Sequence, residues 1–142
     1  MYIQGKNDQH EKMDMTAPVM TQVKPSDGPL CSTSFVVSFN VPKKNQPNPP
    51  SAEGLHPQKW NQSSYAAVRQ FSGFVTDGDI PKQAAALTAS IADTKWAAAI
   101  EKSRSKDNST IYTVAQYNSP FEFRARVNEM WFTFVMDTAI DI

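Results

Sequence analysis

Between Ile80 and Ile91 the apolar residues Ile80, Ala84, Leu87 and Ile91 recur at spacings of four, three and four, the period of one helix face. Stretches of a different kind flank this stripe. Ser64 to Phe74, with Tyr65, Val68, Phe71 and Phe74, leans toward β structure, and Thr76-Asp77-Gly78-Asp79 closes it with turn residues. Asp79 is predicted as the N-cap, with Pro81 tolerated in the first turn. The helix is predicted to run to about Ser103, with Ala98 extending the stripe and Lys102 and Arg104 at its negative end. After the polar break Ser105-Lys106-Asp107-Asn108 two strands follow, Thr110 to Tyr117 and roughly Val127 to Met136, joined across Asn118-Ser119-Pro120-Phe121. Strand, helix, strand, strand in this order predicts an antiparallel α+β domain with a helix against one sheet face.

The first half reads as a damaged copy of the second. Met13 to Val23 predicts a strand whose Pro18 sits at an edge or bulge, broken by Lys24-Pro25-Ser26-Asp27-Gly28-Pro29. Ser34 to Val41 predicts another, with Phe35, Val37, Phe39 and Val41 on one face by the period of two. Pro42, Pro47, Pro49, Pro50 and Pro57 make the following segment an extended loop. Ahead of both strands, Tyr2-Ile3-Gln4-Gly5 suits the last turn of a helix with a glycine stop.

The 142 residues fit one domain with one core. Lys plus Arg and Asp plus Glu stand at 14 each, so no net field draws in nucleic acid or an anionic membrane. Cys31 is the single cysteine, which excludes an internal disulfide and fits a reducing, cytoplasmic compartment. Lys6, Asp8, Glu11, Lys12 and Asp14 leave no room for the apolar core of a secretory signal, and no apolar run reaches the roughly 18 residues of a membrane span. A phosphate loop, a nucleophile elbow, HExxH and CxxC are all missing, so the chain is expected to be non-catalytic.

Four stretches together resemble the SOUL haem-binding proteins, in particular their plant members. They are Lys12-Met13-Asp14-Met15-Thr16-Ala17-Pro18-Val19, the run Val41-Pro42-Lys43-Lys44-Asn45-Gln46-Pro47-Asn48-Pro49-Pro50, then Tyr65-Ala66-Ala67-Val68-Arg69-Gln70-Phe71-Ser72-Gly73-Phe74, and finally Tyr117-Asn118-Ser119-Pro120-Phe121 with Arg126-Val127-Asn128-Glu129-Met130-Trp131. The resemblance covers about residues 2 to 134. It implies a distorted antiparallel β-barrel of two similar βαββ halves with external helices, and a non-catalytic carrier or buffer that holds haem or porphyrin in an apolar cleft without a firm axial ligand. Carried over by position, the cleft takes Tyr2, Ile3, Pro120, Phe121, Phe123 and Arg124. Family members start earlier, with two further strands and most of the first helix, so the first half is expected to be incomplete and its open edges to favour self-association. The tail Asp137-Thr138-Ala139-Ile140-Asp141-Ile142 has no counterpart in the resemblance.

Each candidate also has an ordinary reading. Met13, Met15 and Met20 supply soft contacts for a macrocycle or simply fill a core, and on a strand Met20 would point away from the other two. His10 and His56 are the only histidines; both lie in polar loops, and His10 is the better candidate for iron because it adjoins Tyr2 to Gly5. Arg124 and Arg126 suit propionates or serve as solvated charges. Asn128 and Glu129 are expected to satisfy backbone groups. Trp96 and Trp131 read as core aromatics, Trp60 lies in polar surroundings, and the alanines from Ala84 to Ala99 permit close packing of helix on sheet. The second functional reading is an effector-binding or protein-interaction module for another hydrophobic small molecule, since a fold of this general kind hosts more than one function.

Overall fold

The computed structural model describes residues 1–24, 34–60, 64–107 and 112–136. Among the described residues five strands, β1 (Val19–Lys24), β2 (Ser34–Phe39), β3 (Tyr65–Ser72), β4 (Tyr112–Gln116) and β5 (Val127–Phe134), form one sheet, and α1 (Asp79–Ile91) and α2 (Lys95–Lys106) lie between β3 and β4 in the chain. The sheet is antiparallel throughout, in the order β2-β1-β4-β5-β3. The α+β class and the strand, helix, strand, strand order of the second half are as expected. Cys31, the predicted break after Lys24, the start of the Thr110 strand and the tail from Asp137 lie outside the described residues.

Directly paired residues share a face, so the row Arg69, Met130, Val114, Thr21 and Val37 crosses all five strands on one side. Both helices pack on that side. Leu87 of α1 and Ile100 of α2 are buried with Val114, Met130, Phe132 and Phe134, and Trp96 closes the cluster with its ring 6.2 Å from that of Phe134. β5 alternates half-buried and fully buried along its whole length because it is an inner strand with helices on one face. Arg104 lies over the Phe132 ring at 4.5 Å, its stem covering apolar surface, and burial lowers its pKa. Across the same side, Phe35, Val37 and Phe39 of β2 stay 56% exposed.

Three local expectations are corrected. The single helix is two, because Asp93 takes a left-handed conformation (φ 61°) and Thr94 an extended one before α2 begins. Aspartate tolerates that conformation better than most residues. The break shifts the phase: the faces that pack inward after Ile91 carry Trp96, Ala99 and Ile100, and Ala98 is exposed. Asp79 is not the N-cap but a residue of α1, and Gly78 precedes it. Its carboxylate reaches back to accept from the Thr76 amide (3.1 Å) and hydroxyl (2.6 Å), half of a capping box, and this bonding lowers its pKa. Finally, Met13 to Pro18 are not strand; β1 begins at Val19, directly after a cis Ala17-Pro18 bond and a buried Pro18.

At the N-terminus the glycine stop is as expected, but residues 1–5 are turns and a Gln4–Lys12 bridge and not a helical turn. The Gly5 amide donates to the Tyr2 carbonyl (3.1 Å), the Lys6 amide to the Met1 carbonyl (3.4 Å), and Gly5 has φ 95°. These are the paired bonds of the Schellman pattern, closed by a glycine in the left-handed region. An added Cβ at Gly5 would also meet the His10 carbonyl oxygen at 3.2 Å.

Candidate functional site

The N-terminal candidates are held by polar side chains, not by a cleft. Asn7, buried, donates to the carbonyls of Tyr2 (3.0 Å) and Glu11 (2.7 Å) and accepts from the Glu11 amide (3.1 Å). The Glu11 carboxylate accepts from buried Asn45 (2.6 Å), Asp8 accepts from the Ser51 hydroxyl (2.8 Å), and Lys44 pairs with Asp14 (3.3 Å). The Tyr2 hydroxyl donates to the Pro50 carbonyl, and burial followed by the Glu11 charge raises its pKa. The Met13 amide donates to the Ile3 carbonyl (2.9 Å), and Ile3, Gln4, Lys12, Met13 and Asp14 line an open hollow of about 590 Å³. Met13 is buried and Met15 is 55% exposed, so the irregular backbone separates two methionines that a strand would have put on one face. His10 is exposed in a turn with φ 52°, and His56 is exposed as well.

The segment 117–126 is built around a buried cation. Arg126 Nη1 donates to the carbonyls of Ser119 (2.8 Å) and Glu122 (2.7 Å), and its guanidinium lies 4.4 Å above the Phe74 ring. That corrects the reading of Arg126 as a propionate partner or solvated charge: the side chain is buried, its Nη1 is spent on the loop's own carbonyls, and its buried Nε has no hydrogen-bond partner. Asn118 closes the base of the loop, its Oδ1 accepting from the Val127 amide (2.6 Å) and its Nδ2 donating to Glu122 (2.7 Å). On this frame Phe121 is 84% and Phe123 74% exposed, with the Phe123 ring 6.0 Å from Phe74. Pro120 and Arg124 are exposed beside them.

Asn128 and Glu129 point to opposite sides of β5. Asn128 is buried and donates to the Gly73 carbonyl (2.8 Å) and, at 3.5 Å, to Phe71, satisfying backbone as expected. Glu129 does not. Its Oε2 accepts from the Tyr117 hydroxyl (2.8 Å) and the Trp131 indole (2.7 Å) on the side away from the helices. Burial, then Glu129, pushes the Tyr117 pKa up to about 12. Trp131 is therefore not a core aromatic, while Trp96 is; Trp60 is 54% exposed.

Compared with known proteins, residues 1–133 match the family described as SOUL heme-binding protein. The chain belongs to that family. The similar relatives include heme-binding protein 2 of Mus musculus and of Homo sapiens, each 29% identical over 92% of this chain and 60% of their own length. Heme-binding protein 1 of Sus scrofa is 28% identical over 92% of this chain and 64% of its own. This SOUL family member thus spans a little under two thirds of the length of those relatives. Among the described residues no helix is long and apolar enough to cross a membrane.

The stretches that carry the resemblance form a set of pins in this SOUL chain. The 12–19 and 41–50 stretches are tied by Lys44 and Asp14, with the Glu11–Asn45 bond and the Thr16 hydroxyl on the Asn40 carbonyl at their borders. The 65–74 stretch is β3 and the turn whose carbonyls receive Asn128. What the sequence reading missed is the anchoring by Asn7 and Arg126 and the Glu129 trio. Glu129 and Trp131 share a face by the period of two, a signal that was available; Tyr117 joins them only through the β4–β5 pairing.

Proposed function

We propose that this chain binds a tetrapyrrole, haem or free porphyrin, reversibly and without catalysis, as a carrier or buffer. One macrocycle face lies against Phe121 and Phe123, with Pro120 beside them and Arg124 meeting a propionate. The observation that carries the reading is the pairing of two large exposed rings with a free-standing guanidinium on a loop whose backbone Arg126 holds in place. Preorganised apolar surface loses little entropy on binding. The relatives' description as heme-binding proteins supports the same ligand class.

Tyr2, Ile3, His10, Met13 and Met15 complete the proposed site as its second wall, around the open hollow that Ile3 and Met13 line. The exposed His10 is the candidate for weak iron contact, and no firm axial ligand is part of the proposal. The barrel form, the plant-type affinity of the motifs and a cytoplasmic location belong to the same reading. So does a single SOUL-type domain over residues 1–142. Self-association is proposed through β2, which ends the hydrogen-bonded order and carries no charged residue along Ser34–Phe39.

Titration with haemin and with protoporphyrin, followed by the Soret band and tryptophan quenching, tests the reading. Saturable binding of both is expected, weakened about tenfold or more in the Phe121→Ala/Phe123→Ala double variant, as for loss of central aromatic contacts. No saturable binding of either ligand defeats it.

A further inference from the structure

The two end strands of the sheet treat their open edges differently. β3 carries Arg69 in mid-strand, its Nε donating to Gln83 of α1 (3.0 Å), and a charge on an edge strand discourages pairing with another chain. β2 has no such guard. Ser34-Phe35-Val36-Val37-Ser38-Phe39 pairs with β1 on one side, and it holds no charged residue, no proline and no glycine. An uninterrupted, uncharged edge is a template for a further strand. Its side chains are open as well: Phe35, Val37 and Phe39 are each 56% exposed where α1 and α2 stop short of β2.

The strand whose chemistry fits this edge is β2 itself. Directly opposed residues of an antiparallel pair share a face, so a two-fold pairing of β2 with its own copy pivots on one residue, not between two. A pivot at Val37 opposes Phe35 to Phe39 at both ends, Val37 to its own copy, and Val36 to Ser38. Every residue from Phe35 to Phe39 then has a partner, the aromatic pairs are stabilising cross-strand contacts, and no like charges meet. A pivot at Val36 opposes Phe35 to Val37 and leaves Phe39 without a partner in β2. We propose that β2 pairs antiparallel with β2 of a second copy about Val37, joining the two into one continuous sheet with the helices of both copies on the same side. This pairing rests on the self-association reading and adds which residues meet. Its length falls well short of the roughly 20–30 residues a side of a standard interface, so the dimer is weak and concentration-dependent.

Cys31 is the single cysteine, so cysteines placed one at a time on a Cys31→Ser background, treated with a short bismaleimide cross-linker, test the register in the whole chain. Val37→Cys is expected to cross-link to its own copy. Phe35→Cys and Phe39→Cys are each expected to stay uncross-linked alone, since identical residues there lie about 13 Å apart along the strand, and to cross-link when the two are mixed. Val37→Lys sets two like charges on the axis and is expected to weaken the association seen by sedimentation at least about tenfold; because Val37 is half exposed, the fold accommodates it. Unaltered protein that stays monomeric at all concentrations defeats the self-association reading, and this pairing with it. Association that persists while Val37→Cys fails to cross-link, Phe35→Cys alone cross-links equally well, or Val37→Lys associates as before overturns the pairing and leaves self-association to another surface.

Discussion

Phe132 and Phe134 of β5 and Phe35 and Phe39 of β2 occupy the same surface of one sheet, yet the first pair is 3% and 5% exposed and the second 56% each. Residue type is the same and the strand alternation is the same. The difference is α1 and α2, which cover β5 and its neighbours and stop short of β2. Full burial of a phenylalanine side chain contributes about 1.5–3 kcal/mol over leaving it exposed, so the covered half carries the stability and the bare half is surface open to partners. Period-two patterning tells which residues share a face; what lies over that face is a tertiary fact.

The sharpest way to break this comparison is Phe132→Ala, expected to cost about 3–5 kcal/mol in urea unfolding because it opens a cavity beside Met130 and Leu87. A cost under about 1 kcal/mol would place the core elsewhere. Next is Arg126→Met, which keeps apolar contact with Phe74 but bares the Ser119 and Glu122 carbonyls. Each bared group costs about 1–3 kcal/mol, and the loop that presents Phe121 and Phe123 should lose hydrogen-exchange protection.

A smaller effect is expected at high pH. The Tyr117 pKa is raised from 10.0 to about 12 in the folded state, so above pH 10 the unfolded chain releases this proton while the folded one keeps it. The contribution is therefore intact below pH 10, falls between 10 and 12 and is gone above. Tyr117→Phe should flatten that part of the alkaline stability profile, and an unchanged slope would mean the phenol titrates normally. Smallest of all, Phe35→Ala should change stability by no more than about 0.5 kcal/mol, while reducing any concentration-dependent association seen by light scattering. A Phe35→Ala cost equal to that of Phe132→Ala would show that the bare half is covered in solution.

Much of the fold was legible because it rests on local rules. The stripe from Ile80 to Ile91, the glycine stop at Gly5 and the alternation in Ser34–Phe39 each act over a few residues. The helix break escaped notice because Ala92-Asp93-Thr94 contains neither glycine nor proline, and only the phase slip from Ile91 to Trp96 betrays it. The candidate site was less legible. Phe121 and Phe123 were expected at a ligand through family resemblance, and their exposure follows from Arg126, whose bonding to two carbonyls no spacing rule encodes. A strand would put Met13 and Met15 on one face, and the irregular backbone before Val19 removes that relation.

The measurement closest to the central claim is a residue-resolved NMR titration of the chain with protoporphyrin. The binding account predicts that shifts concentrate at Phe121, Phe123, Arg124 and Phe74, with weaker ones at Ile3 and Met13. Shifts gathered instead at Phe35, Val37 and Phe39, with the 117–126 loop unmoved, would contradict it and make the bare half of the sheet the ligand surface.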